Sequence, residues 1–506
     1  MDAADKNDGG GGGGGGGVLR PSRICYLAIL STAFWALVFY LHTCMQGGNG
    51  VASVLFNPSA FSLPLLSSTI AGGRPPPEQV PASAVAAAQE NGSVTAPSAD
   101  DRCAGRYVYM YDLPPRFNDE IVRDCSKLDP GTDMCPYVVN CGMGKALGDE
   151  GGVFSGRGWY DTHQFMLDVI FHGRMKAYEC LTDDSSLANA VFVPFYASLD
   201  GGRHIISWSG TSTRDALALD LVQWLARRPE WRTMGGRDHF FVAGRTTWDF
   251  RRYTDADNEW GTKLLNLPAV QNMTALVLEI SPWSRSNFAV PYPTYFHPET
   301  AASVLAWQEK VRKAERRWLF SFAGAPRPGF NHTVRAEIIQ QCGASSRCRL
   351  YSCGGASGGA NCSSPGGVMR LFESSNFCLQ PRGDSLTRRS TFDTILAGCI
   401  PVFFHPGSAY TQYTLHLPKD PKKYSALIMH TDITGRNVSI EETLSKIPPE
   451  VVQAMREEVI ALIPRVVYAD PRSRRVDFKD AFDVAVEGVL DRVAERRRGT
   501  VNGREQ

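Results

Sequence analysis

The sequence lacks any charge imbalance, with 53 Lys and Arg against 52 Asp and Glu in 506 residues. A chain so balanced gives a polyanion no electrostatic reason to bind, which removes nucleic acid from the expected partners. A second long apolar run is also missing. Only Ile24 to Leu41 (ICYLAILSTAFWALVFYL) is long enough to cross a bilayer, so a multi-span membrane protein is excluded. No internal repeat is found, which excludes a repeat architecture. Cys342, Cys348, Cys353 and Cys362 lack the paired C-x2-C spacing of a structural zinc site. Finally, no Lys or Arg occurs between Arg23 and Arg74, whereas Arg20 and Arg23 directly precede the apolar run. The positive-inside rule then puts the N-terminus in the cytosol and the remainder across the membrane.

A cleaved signal peptide is the rival to an anchor. The apolar run is long for one, and no small-x-small cleavage site precedes Cys44, so an uncleaved signal anchor is expected. Residues 1–23 read as a disordered cytosolic tail ending its low-complexity part in a glycine run, and 24–41 as the transmembrane helix. Residues 42–101, rich in Pro, Ala, Ser and Gly, read as a lumenal stalk.

What is present agrees with a lumenal body. Of thirteen cysteines, Cys25 and Cys44 lie in or beside the anchor and the rest beyond it. They fall into two groups, Cys103 to Cys180 and Cys342 to Cys378, as disulfides within each of two domains would. The odd number leaves one thiol, and Cys399 is expected to be that buried free cysteine. Asn91, Asn272, Asn331, Asn361 and Asn437 each begin a glycosylation sequon.

From Arg102 onward, strand and helix patterns alternate. Arg106 to Tyr111, Val191 to Tyr196, Asp238 to Ala243 and Leu276 to Ile280 read as strands; Gln164 to Tyr178 and Thr213 to Ala226 read as helices. This predicts a parallel α/β domain over 102–298. A proline-rich break and a charged helix (Ala301 to Arg317) make 299–317 an interdomain connection. A second α/β domain follows over 318–470, with 471–506 a C-terminal helix and tail. The expected fold is thus two Rossmann-like α/β domains facing across a cleft. Within the second, Cys342 to Gly367 reads as an irregular excursion, and Glu450 to Leu462 as a helix.

The stretch Asn376 to Pro406 (NFCLQPRGDSLTRRSTFDTILAGCIPVFFHP) is the most informative. A short strand ends at Pro381 and Gly383; a polar loop carries Asp384, Arg388 and Arg389; a helix runs to a C-cap at Gly398; and Ile400 to Phe404 is a second strand. Such a loop suits a diphosphate, because arginine forks match phosphate oxygens and the next helix presents its N–H groups. The carboxylate of Asp393, one turn into the helix, could accept from sugar hydroxyls. The alternative is an ordinary crossover whose arginines face solvent.

FVPFYASLD (Phe192 to Asp200), GRDHFFVAGRTTWDFRR (Gly236 to Arg252), LFSFAG (Leu319 to Gly324) and FCLQPRGDSLTRRSTFDTILAGCIPVFF (Phe377 to Phe404) resemble the exostosin-like glycosyltransferases. More narrowly, YMYDLPPRFN (Tyr109 to Asn118), QFMLDVIFHGRMKAYECLTDD (Gln164 to Asp184) and HPGSAYTQYTLHLP (His405 to Pro418) are similar to the plant xyloglucan galactosyltransferases. The resemblance covers about Arg102 to Tyr468. It implies a type II Golgi enzyme of GT-B fold that moves galactose from UDP-galactose, in β linkage, onto xylose of xyloglucan. It admits complexes with other Golgi glycosyltransferases.

Such a transfer inverts the anomeric carbon, so it needs a general base and a means to stabilise departing UDP. For UDP, the candidates are Gly383, Asp384, Arg388, Arg389 and Asp393, faced by Gly324, Arg327 and Arg335 from the first strand-loop-helix of the second domain. For the base, the candidates are Asp249, then Asp200, then His163. Trp248, Trp159 and Tyr160 are candidates for stacking on acceptor sugars. Asp255-Ala256-Asp257 spells the D-x-D of manganese-dependent transferases, but no apolar strand precedes it, so no metal or other cofactor is expected. Another UDP-sugar such as UDP-galacturonic acid or UDP-arabinose, another wall polysaccharide, or a non-catalytic scaffold are the competing readings.

Overall fold

The computed structural model describes residues 102–501 except 155, 206–208, 282–285, 326–332, 354–361 and 363. The anchor at Ile24 to Leu41, the stalk, Arg327 and the sequons at Asn91, Asn331 and Asn361 lie outside the described residues. Among the described residues, no helix is long and apolar enough to cross a membrane.

Six parallel strands form the first sheet: β1 (Tyr107–Met110), β2 (Leu181–Thr182), β3 (Ala188–Phe192), β4 (His239–Thr246), β5 (Thr274–Glu279) and β6 (Asn287–Ala289), in the order β2-β1-β3-β4-β5-β6. β4 is buried along its whole length, as the unbroken run Phe240 to Ala243 requires of a strand covered on both faces. The helices α1 (Leu167–Lys176), α2 (Ala197–Ile205) and α3 (Thr211–Ala226) belong to this half.

The second sheet holds β7 (Trp318–Gly324), β8 (Cys348–Ser352), β9 (Ser375–Gln380), β10 (Ile400–Phe403) and β11 (Ala426–Leu427), again parallel, in the order β11-β10-β9-β7-β8. Its helices include α4 (Ala301–Lys313), α5 (Val334–Ala344), α6 (Pro365–Glu373), α7 (Ser390–Leu396) and α8 (Pro449–Ala461). The protein is therefore an α/β fold with two parallel sheets. α4 packs with the second half: Trp307 is buried against Trp159 and Phe296 and donates its indole N–H to Leu396 O at 2.8 Å. The last helix, α9 (Ala481–Val501), returns to the first half. There Phe482 meets Phe171, and Arg174 forms a buried ion pair with Asp480 at 3.0 Å.

Several expectations need correction. Val193 to Tyr196 is not strand, because Pro194 has no N–H for the ladder. The chain turns there into α2, which carries Asp200. The excursion after Cys342 contains an edge strand, β8, held by pairing with β7 that its sequence pattern does not signal. Cys399 is not free. It is bonded to Cys378, joining β9 to the turn before β10, while Cys141 is the free cysteine among the described residues. The other disulfides are Cys103–Cys180, Cys125–Cys135, Cys342–Cys348 and Cys353–Cys362. Gly398 follows the helix at φ +63°, the left-handed cap its residue type suits.

Candidate functional site

Strand ends of the two sheets are tied to each other, and the residues doing so define the site. Glu279, the last residue of β5, accepts from both the backbone N–H and the hydroxyl of Thr387, each at 2.7 Å. Tyr292 Oη lies 3.1 Å from the same hydroxyl. Ile280 N–H donates to the Gln412 side chain at 2.8 Å, and Tyr413 donates to Leu278 O at 2.9 Å. The loop between β9 and α7 is therefore fastened directly to the C-terminal ends of the first sheet, where ligand groups gather in such folds.

Within the second half, the expected cationic residues converge. Arg335, at the start of α5, reaches Ala325 O and Arg382 O, both at 3.3 Å, and so joins the ends of β7 and β9. Arg388 donates to Pro381 O at 3.1 Å. Gly383 lies beside Arg335, close enough that a Cβ there would meet the guanidinium at 3.9 Å. Gly324 must be glycine because the Phe322 ring folds over it, in the space a Cβ would take. Asp384 is exposed at the loop tip.

Arg389 and Asp393 turn the other way. Arg389 donates to Thr162 O of the first half, and its guanidinium lies 3.8 Å from the centre of the Tyr295 ring. Asp393 is 4% exposed and sits 3.4 Å from Arg389 Nε; burial pushes its carboxyl up to about 6, against the pull of that arginine. Arg389 Nη2 and Asp393 Oδ1 are buried without a hydrogen-bond partner among the described residues. Arg389 Nε also lacks one, so the pair leaves two donors and one acceptor unmet where the halves meet.

The three base candidates differ in what occupies their polar atoms. Asp249, in the turn after β4, accepts from Arg245 Nε and from Trp260 Nε1, each at 2.7 Å, and is 3% exposed. Asp200 accepts from Arg203 at 2.6 Å, and burial pushes it up to about 6. His163 lies beside the Arg389 contact. Burial, then Arg389 and Arg245, hold it down to about 4, so it is neutral at pH 7. Its Nδ1 accepts from Phe165 N–H at 3.3 Å, so in the neutral ring Nε2 carries the proton. The residue that sequence reasoning missed is Glu279. Its second oxygen makes no hydrogen bond among the described residues. The available signal was a carboxylate ending the apolar run TALVLE, read only as strand.

The sequence-selected aromatics separate. Trp159 is buried in a cluster with Phe154, Phe296 and Trp307, and the Tyr160 hydroxyl is held by Asp470 and Arg472. Both are core residues, which corrects their expected part in sugar stacking. Trp248 is 44% exposed. The D-x-D triplet braces its own loop: Asp255 pairs with Lys263, and Asp257 accepts from Thr211 N–H at 2.7 Å. No group of three or more metal-ligating side chains occurs among the described residues.

The Asp200 shift has a testable sign. Its carboxyl titrates at about 6 folded against 3.8 for the unperturbed group, so the folded state binds that proton more tightly. The contribution to stability is greatest below about pH 4 and is lost as pH rises through about 6. Asp200→Asn never ionises, so its melting temperature relative to the parent should rise between about pH 4 and 6 and level off above. A pH-independent difference would contradict the assignment.

Comparison with known proteins places this chain in a family. The Exostosin GT47 domain model matches residues 102–444. The chain is 47% identical over 523 residues (96% of this chain, 84% of the relative) to "Xyloglucan galactosyltransferase MUR3" of Arabidopsis thaliana. It is 48% identical over 413 residues (80% of each chain) to "Probable xyloglucan galactosyltransferase GT12" of the same plant. With "Probable xyloglucan galactosyltransferase GT15" the identity is 50% over 411 residues (79% of this chain, 85% of the relative). A solved structure, "Crystal structure of GtfA/B complex", overlays at TM-score 0.27 and 10% identity, over 67% of this chain and 62% of that one, too slight a likeness to bear on the fold. On the extent of the domain match and of these identities, the chain belongs to the exostosin GT47 glycosyltransferase family.

Proposed function

We propose that this protein transfers galactose from UDP-galactose, with inversion, onto xylose side chains of xyloglucan. The observation that carries the reading is the cationic cradle of Arg335, Gly383 and Arg388 at the strand ends of the second sheet, fastened through Thr387 to a carboxylate at the strand ends of the first. The names of the relatives supply the sugar and the polymer. A GT-B arrangement, with donor on 318–470 and acceptor on 102–298, is part of the same proposal.

In the reaction, a xylose hydroxyl oxygen bonds to the anomeric carbon as the bond to the diphosphate oxygen breaks, its electrons leaving with UDP. Arg335 and Arg388 stabilise the charge that develops there. Arg389 Nη2 and Asp393 Oδ1 are available to sugar hydroxyls. Glu279 takes the proton, because its second oxygen is open, whereas both oxygens of Asp249 are engaged and His163 Nε2 bears hydrogen. Since cations of the chain balance the diphosphate, turnover requires no metal. Five disulfides support an oxidising lumen, and with the anchor over 24–41 the protein is a Golgi type II membrane enzyme.

The test offers the purified protein a panel of UDP-sugars with xylosylated glucan oligosaccharides, with and without EDTA. Transfer from UDP-galactose undiminished by EDTA is expected. Transfer from UDP-galacturonic acid or UDP-arabinose alone would overturn the donor, and loss in EDTA restored by manganese would overturn metal independence.

A further inference from the structure

We infer that Trp248, stacked on Trp260, is a binding platform for the apolar face of a β-linked glucan backbone. The inference rests on the acceptor proposed above and extends it to a subsite. Trp248 and Tyr253 are the exposed large aromatics among the described residues, at 44% and 76%, and they stand five positions apart in the excursion after β4. Trp248 and Trp260 stack with centroids 5.3 Å apart and planes 28° from parallel.

The pair is held rigidly. Trp260 is fixed by its 2.7 Å hydrogen bond to Asp249, and Asp249 in turn by Arg245, whose guanidinium lies 3.9 Å from the Phe165 ring centre. The excursion itself is braced from beneath. Arg214 donates to the carbonyls of Asp257 and Glu259, and Glu259 accepts from the N–H groups of Tyr253 and Thr254 at 2.8 Å. An aromatic surface ordered in advance loses little freedom when it binds.

The chemistry of the occupant follows from shape and charge. A β-linked glucan carries its hydroxyls equatorially, leaving flat C–H faces that match an indole. The carboxylates of the excursion are offset by Arg251, Arg252 and Lys263, two of which pair with Asp255, so it carries no excess cation for a nucleotide diphosphate, and the cations for that group lie on the other sheet. Trp248 also sits at the C-terminal end of a central strand of the first sheet, beside the turn residue Asp249 and on the acceptor side of the proposed cleft.

The experiment measures binding of cellobiose, cellohexaose and UDP to the full chain and to Trp248→Ala and Trp248→Phe. Cellohexaose affinity should fall about tenfold in Trp248→Ala and less in Trp248→Phe, the scale of one lost aromatic contact. Cellobiose should be little affected and UDP affinity unchanged. Trp248→Phe retains a ring and reports even if the alanine variant melts early. Cellohexaose binding equal in all three proteins, absent from the parent, or lost together with UDP binding would overturn the platform. Because the readout uses neither donor sugar nor transfer, its failure is distinct from a failure of the galactosyltransferase reading.

Discussion

Glu279→Gln is expected to lower kcat by about 10²- to 10⁴-fold, the usual contribution of a general base, while UDP binds as in the parent. The substitution is chosen because the amide oxygen can still accept from Thr387, so the fastening of the loop to β5 survives. What it removes is the open carboxylate oxygen. Asp249→Asn is the control. Its carboxylate is already committed to Arg245 and Trp260, so that variant should show its effect in thermal stability, through a buried arginine left without its anion. Single-turnover rates and UDP titrations on both variants separate the two roles. If Glu279→Gln turned over normally and Asp249→Asn, fully folded, did not, the base would be Asp249.

Removing Arg389 should be the most destabilising single change in the loop. Arg389→Ala deletes the contact to Thr162, uncovers Tyr295 and leaves the Asp393 carboxylate buried without its cation. Stranding one member of a buried pair costs on the order of 3 kcal/mol. The loss should depend on pH in a definite direction. Asp393 is already pushed up to about 6 with Arg389 present, and without that cation it rises further. The carboxyl is then protonated, and the penalty small, in acid; the penalty grows as pH rises toward and beyond neutrality. Urea unfolding midpoints at about pH 5 and 8 would read this, and adding Asp393→Asn should recover part of the loss at the higher pH. A deficit equal at both pH values, or no deficit, would refute the pairing. Arg388→Ala, by contrast, should weaken UDP binding with little change in stability.

Much of the second half was legible in the sequence because its cues are local. Pro381 and Gly383 end a strand, Gly398 caps a helix, and Phe392, Ile395 and Leu396 repeat at helical spacing, so the strand-loop-helix-strand unit could be read directly. The same applied to the buried runs of β4 and β7. Where the cue was not local, the reading failed. Cys399 looks like a solitary buried thiol until β9 and β10 pair and bring Cys378 beside it. Trp159 and Tyr160 look like sugar-stacking aromatics until α4 and the segment after α8 close over them.

The sequence by itself determined an α/β fold of two parallel halves, and it marked the polar loop at Arg388. Those properties follow from hydrophobic period and turn residues, which act over a few positions. Only tertiary structure decided which way each loop arginine points. Arg388 closes on Pro381 of its own half while its neighbour Arg389 crosses to Thr162, 227 residues away. Tertiary structure likewise brought Glu279 to Thr387. Such contacts depend on where two sheets meet, and no short stretch of either sheet carries that information.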